Sequence, residues 1–183
     1  MLTYKYNVPR SCLLIDLKTE IVKEKNQMIT GRWYHSVCHI NNFIYAIGGV
    51  DTKDYAVSSC ERYSILDNKW RKLRKSADFD DFTRNISVIV TQKRDMHTFG
   101  GMNDEGWFPD MEIIRTFDSL KPLSGWRILH LETTRLVCGY YYGLFALDTS
   151  SPSILVFGGE TDEHCILRVS QFYPTYKTLL PFS

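Results

Sequence analysis

Three Gly-Gly pairs, Gly48-Gly49, Gly100-Gly101 and Gly158-Gly159, lie 52 and 58 residues apart, and each closes the same kind of segment. Phe43-Ile44-Tyr45-Ala46-Ile47, Met96-His97-Thr98-Phe99 and Ile154-Leu155-Val156-Phe157 lead into them. An apolar run of β-branched and aromatic residues that ends on glycine is a strand whose end needs close packing or a positive φ. Polar turn residues come after each pair: Asp51, then Asn103-Asp104-Glu105, then Thr161-Asp162-Glu163. Self-similarity at such a period signals a repeat architecture, in which one supersecondary unit recurs and buries its faces against its neighbours.

The rest of each unit repeats too. A strand ending on an aromatic comes next: Ser59–Tyr63, Met111–Phe117 and Leu167–Tyr173. After a turn, a short strand closes the unit: Trp70–Leu73, Trp126–Leu129 and, without the Trp, Lys177–Leu180. A strand also precedes each Gly-Gly segment, at 35–40, 85–90 and 139–146. Each unit is therefore four short strands in about 50 residues, and no stretch holds a helical period over 11 residues or more. Residues 10–22 read as the third and fourth strands of a preceding unit, and Leu17–Met28 as a strand, a turn and a polar connection.

These units resemble the kelch repeat. Arg32, His35, the Tyr45–Gly49 run, Glu61-Arg62-Tyr63 and Trp70–Leu73 fall at kelch-like spacings. The second unit keeps Gly100, Gly101 and Trp126, and the third keeps Gly158, Gly159 and Tyr173. The resemblance implies an all-β fold: kelch-type β-propeller blades of four antiparallel strands. The blades would comprise a half-blade at 1–29, repeat 1 at 30–75, and degenerate repeats at 76–130 and 131–183. It also implies structural roles for the signature residues. The Gly pairs would sit where neighbouring blades crowd, and Tyr63 and Trp70 would bury their rings between blades. Three and a half units are fewer than the ~4–8 blades of a closed propeller. The ring is expected to be incomplete or open, and three arrangements stay open: a fragment of a longer product, completion by a second copy, or an open arc.

Composition narrows the function. Lys plus Arg number 22 and Asp plus Glu 21, a net charge of +1, so the electrostatic footprint of a nucleic-acid binder is missing. No apolar run approaches the ~20 residues of a membrane span, and the N-terminus carries no apolar signal segment. Five cysteines, an odd number with no C-x-x-C, suit buried reduced thiols rather than a disulfide framework or a zinc site. A cytoplasmic protein without metal or cofactor is expected. His35 and His39, four apart on a strand, would stand about 13 Å from each other, too far for one metal.

A binding role has a location. In a four-stranded antiparallel blade the 2→3 loops and the inter-blade loops emerge on one face, and kelch proteins generally capture partners there. The 2→3 loops are 50–58, 102–110 and 160–166, and the inter-blade loops are roughly 26–34, 74–84 and 130–138. Candidate contacts are Asp51, Lys53, Asp54 and Tyr55 in one loop, Asn103, Asp104, Glu105, Trp107 and Phe108 in another, and Asp162 and Glu163 in a third. Aromatics beside acidic residues are the composition of a contact hot spot. Arg32 and Arg84 are candidates for bidentate pairing with an acidic segment, with a purely structural role for Arg32 as the alternative. The expected function is a non-enzymatic protein-interaction module or scaffold. Kelch relatives include ubiquitin-ligase substrate adaptors and cytoskeletal scaffolds. Self-association through open blade edges is a second expected contact. The alternatives are an enzyme on a propeller scaffold (a metal-dependent oxidase or sugar isomerase) and a degenerate gene remnant.

Overall fold

Alternating side chains and tight polar turns build antiparallel meanders here. The computed structural model describes residues 10–73, 86–91, 95–103, 113–121, 124–130, 143–147, 153–158, 169–174 and 178–181. A two-stranded sheet comes first, β1 (Cys12–Ile15) and β2 (Val22–Lys25). Three four-stranded sheets come after it. The first blade is β3 (Ser36–Ile40), β4 (Phe43–Ile47), β5 (Cys60–Ser64) and β6 (Lys69–Lys72). The second is β7 (Ser87–Val90), β8 (Asp95–Phe99), β9 (Ile113–Asp118) and β10 (Trp126–His130). The third is β11 (Gly143–Leu147), β12 (Ser153–Phe157), β13 (Val169–Tyr173) and β14 (Thr178–Pro181). Within each sheet, strands adjacent in sequence are adjacent in space and antiparallel. Among the described residues the sheets do not close into a ring.

The first blade shows how local chemistry sets the register. Asn41-Asn42 turns β3 into β4, with Asn41 at φ 54°, a left-handed conformation that Asn tolerates. Ile40 then opposes Phe43 and Ser36 opposes Ile47. Across β5 and β6, Tyr63 opposes Trp70, and their rings stack at 5.2 Å. Ser64 closes the turn between them by bonding Asp67.

Period-2 alternation sends each central strand's side chains into two different seams. Between the first and second blades, Ile40, Tyr45, Ile47 and Cys60 pack with Ile86, Met96, Phe117 and Trp126. The Ser36 hydroxyl donates to the Ile86 carbonyl, and Cys38 Sγ meets Met96 Sδ at 3.1 Å. Between the second and third blades, Phe99 and Ile114 pack with Ile154, Val156 and Phe172. Met96 and His97, adjacent on β8, thus serve opposite seams. The first strands β3, β7 and β11 lie against one another in turn. The blades are therefore stacked face to face with their first strands gathered on one side, as in a propeller.

Several expectations shift. The N-terminal strands do not both fit in 10–22: β2 begins at Val22, and Leu17, 90% exposed, lies in the turn. Asp16 accounts for this, because its carboxylate accepts from the Lys18 and Thr19 amides and holds the turn open through Ile21. In the third blade the first strand is described over Gly143–Leu147, and residues 139–142 of the expected strand lie outside the described residues. The crowding at Gly49 comes from its own unit: a Cβ there would lie 2.5 Å from the Trp33 carbonyl oxygen. Gly158 has open space where its Cβ would be and is required only by its φ of 68°. Gly159 lies outside the described residues.

Candidate interaction site on the loop face of the first blade

The site starts from a buried charge. Arg32 is 1% exposed and Glu61 is fully buried, and their side chains pair at 2.8 Å. An ionic pair without water survives only when its remaining donors and acceptors are largely satisfied; here only the Arg32 Nε lacks a partner. Arg32 Nη1 donates to the carbonyls of Gly48 (2.8 Å) and Ser59 (2.7 Å), which flank the 50–58 loop. Nη2 donates to Glu61 Oε1 and, at 3.2 Å, to Ser59 Oγ. The Glu61 carboxylate also accepts from the amides of Ile29 (2.7 Å) and Thr30 (2.8 Å) in the inter-blade loop. Burial would raise the carboxyl pKa, but the Ile29 and Thr30 amides and the Arg32 guanidinium outweigh it and hold Glu61 below the usual carboxylate range. One ion pair therefore ties down both loops of this face.

Above the pair the loops are joined by backbone. Trp33 and Val50 exchange both hydrogen bonds, at 3.1 and 3.0 Å, and Val50 also bridges to Ala56. The Val57 amide bonds the Gly49 carbonyl at 2.8 Å. The Asp51 carboxylate accepts from the amides of Lys53 (2.8 Å) and Tyr55 (3.1 Å), an Asx turn that shapes the tip. Two tyrosines stand out from this frame. Tyr55 is 59% exposed, and Tyr34, at φ 51° and with its ring 5.8 Å from that of Trp33, is 60% exposed. A ring held on a rigid loop loses little entropy when it is buried by a partner.

The family model described as the kelch motif matches residues 32–76, which span the ion pair, the 50–58 loop and all four strands of the first blade. Kelch-repeat architecture is what the four-stranded meanders and their seams display. The first blade is a kelch repeat. It is similar to Kelch-like protein 36 of Rattus norvegicus and of Mus musculus, each 32% identical over 69 residues, which is 35% of this chain and 11% of theirs. The Bos taurus protein of that name is 35% identical over 57 residues, 31% of this chain and 9% of its own. The chain thus matches about a tenth of the length of these relatives.

Within the kelch frame the candidate residues fall out differently. Arg32 is corrected as a partner contact: its guanidinium is spent inside the blade on Gly48, Ser59 and Glu61. Asp51 is half-buried and occupied by its own turn, while Lys53, Asp54 and Tyr55 are exposed. Asn103 is half-buried beyond the second Gly pair. Arg84, Asp104, Glu105, Trp107, Phe108, Asp162 and Glu163 lie outside the described residues. Of the signature residues, Tyr63 and Trp126 are buried and Tyr173 is half-buried. Trp70 is half-buried, and its indole N–H donates to the Asn26 carbonyl at 2.8 Å. His35 is half-buried beside the ion pair, where burial and then the Arg32 charge lower its pKa. The thiols of Cys38 and Cys60 are pushed up by burial to about 12 and about 11, so neither is a ready nucleophile. Among the described residues no three His, Cys, Asp or Glu side chains converge as metal ligands.

Sequence reasoning does not pick out Tyr34 or Glu61 as site residues, although a signal exists for both. Tyr34 follows Trp33 in a polar loop, where two adjacent aromatics cannot both turn inward. An Arg inside a strand-rich repeat calls for a carboxylate, and Glu61 sits in the Glu61-Arg62-Tyr63 segment of the same unit.

Proposed function

We propose that this chain is a non-enzymatic protein-interaction module, and that the loop face of its first blade is a contact surface for a protein partner. The observation that carries this is the pair of exposed tyrosines, Tyr34 and Tyr55, on two loops locked together from beneath by Arg32 and Glu61. A catalytic site needs convergent titratable groups with tuned pKa values. This face offers aromatic surface over a rigid base instead, with Lys53 and Asp54 at its rim. Such a module serves a ubiquitin-ligase adaptor or a cytoskeletal scaffold equally well. We place it in the cytoplasm, where an odd set of cysteines remains reduced.

Site-specific photocrosslinking tests the reading. A benzophenone amino acid replaces Tyr34 or Tyr55, and for comparison Leu66, 77% exposed on the turn at the opposite end of the blade. We expect a discrete protein adduct at positions 34 and 55 and none at 66. The adduct at 55 is expected to fall at least tenfold when Tyr34 is Ala. Equal adducts at all three positions, or no change with Tyr34→Ala, would reject this face.

A further inference from the structure

Tyr34 and Tyr55 are exposed to the same extent, but the backbone around them is held differently. Trp33, just before Tyr34, exchanges two hydrogen bonds with Val50, and Arg32 is buried in the ion pair. His35, just after Tyr34, is half-buried and leads directly into β3. Tyr55 instead sits beyond the Val50–Ala56 bridge, in the tip of the 50–58 loop. Four hydrogen bonds across that tip end on Asp51. Its carboxylate accepts from the amides of Lys53 and Tyr55. Its carbonyl accepts from the Asp54 amide at 3.1 Å, and its amide donates to the Tyr55 carbonyl at 2.9 Å. Residues 52–55 are all exposed, so water can replace these bonds. The tip can therefore open locally while the Trp33–Val50 ladder and the Arg32–Glu61 pair stay in place.

The charges around the two rings differ as well. Tyr55 ends the run Asp51-Thr52-Lys53-Asp54-Tyr55, with carboxylates one and four residues upstream. Tyr34 follows Arg32-Trp33 and precedes His35, without an acidic neighbour. A protein kinase takes its target as an extended segment and selects it by charge pattern. Tyr55 meets both demands, a tip that can be drawn out and acidic residues before the hydroxyl. Tyr34 meets neither. We propose that Tyr55 is a phosphorylation site for a tyrosine kinase that reads acidic residues upstream of its target, and that the phosphate switches the loop face. The kinase brings Mg-ATP. Tyr55 Oη bonds to the γ-phosphorus, the bond from that phosphorus to the β–γ bridging oxygen breaks, ADP leaves and the hydroxyl proton is released. The phosphate adds a charge of about −2 to a segment in which Lys53 is the one cation against Asp51 and Asp54. Like-charge repulsion then favours the open tip over the Asx turn. The modification site stands by itself, whereas the switch rests on Tyr34 and Tyr55 being a contact surface.

In the test, the full 183-residue chain is incubated with Mg-ATP and the catalytic domain of a tyrosine kinase that prefers acidic residues upstream. Peptide mass spectrometry follows the phosphate, and amide hydrogen exchange is followed by residue. Tyr55 is expected to be modified at least tenfold faster than Tyr34. Asp54→Asn removes the adjacent charge and keeps a residue that tolerates the φ of 66° at that position. It is expected to slow the modification at least threefold. In the phosphorylated chain the amides of 52–55 are expected to exchange at least tenfold faster, with those of Trp33 and Val50 unchanged. Equal rates at Tyr34 and Tyr55, modification of Tyr55 only in urea, or an unchanged rate in the Asp54→Asn chain would overturn the site. Unchanged exchange at the tip would overturn the switch. So would a photocrosslinked adduct at position 34 that phosphorylation of Tyr55 leaves undiminished, where a fivefold loss is expected. If the unmodified chain gives no adduct at position 34, the contact surface fails, and the rates and the exchange still decide the modification.

Discussion

Gly49 and Gly158 look alike in sequence but differ in what a substitution there would cost. Both sit at positive φ, 97° and 68°. Only Gly49 is also boxed in, 2.5 Å from the Trp33 carbonyl at the Cβ position. Gly158→Ala is expected to cost about 1 kcal/mol, the backbone strain alone. Gly49→Ala is expected to cost about 3 kcal/mol or more, because the Trp33–Val50 ladder must move as well. Urea unfolding of both variants measures the difference, and equal losses would refute the steric account. Arg32 is the second residue whose surroundings set its worth. Arg32→Met leaves the Glu61 carboxylate buried without its cation, a loss of about 3–5 kcal/mol. In the same variant the 50–58 loop loses the ties at Gly48 and Ser59. Its amides are therefore expected to exchange faster than those of β4 and β5.

At the scale of elements, the β1–β2 hairpin depends on a single asparagine. Asn68 Oδ1 accepts from the Tyr63 hydroxyl at 2.8 Å and from the Asn26 amide at 3.0 Å. Asn26 in turn receives the Trp70 indole N–H. This chain of bonds connects the end of the hairpin to the β5–β6 turn, and Asn68 also takes a left-handed φ of 51° there. Asn68→Ala removes the acceptor and adds backbone strain, together about 2 kcal/mol. Hydrogen exchange in Cys12–Lys25 is expected to accelerate while β3 and β4 stay protected. Uniform acceleration across the first blade would show that the hairpin and blade unfold as one unit.

At the scale of the molecule, the seam between the second and third blades carries a pH dependence. His97 is 4% exposed, lies edge-on to Phe172 at 6.1 Å, and has both ring nitrogens buried without a hydrogen bond. Burial pushes its pKa down to about 4, against an ordinary 6.5. Between those values the unfolded chain takes up a proton that the folded chain refuses, so stability falls as pH falls. The loss between pH 7 and pH 4 is about 3 kcal/mol. His97→Phe is expected to flatten the pH dependence of the melting temperature across this window. An unchanged slope in that variant would assign it to other groups.

The strand order, the fourfold meander and the repeat were legible in the sequence because they rest on local rules. Alternation of apolar side chains, Asn and Gly at positive φ, and Asp-closed turns each act within a few residues. The position of β4 before Gly48 comes from spacing alone, whereas the pairing of Tyr63 with Trp70 inside one blade is a finding of the structure. The features that sequence left open depend on partners far along the chain. Arg32 reads as a surface cation until Glu61, 29 residues later, is brought to 2.8 Å. Burial of a charge is decided by the completeness of its bonding, which only the folded blade supplies. Tyr34 reads as a loop residue until the Trp33–Val50 ladder fixes which ring turns outward. The residue types announce blades and the tertiary structure assigns their faces, because a strand's two faces are chemically similar until neighbouring blades bury one and leave the other open.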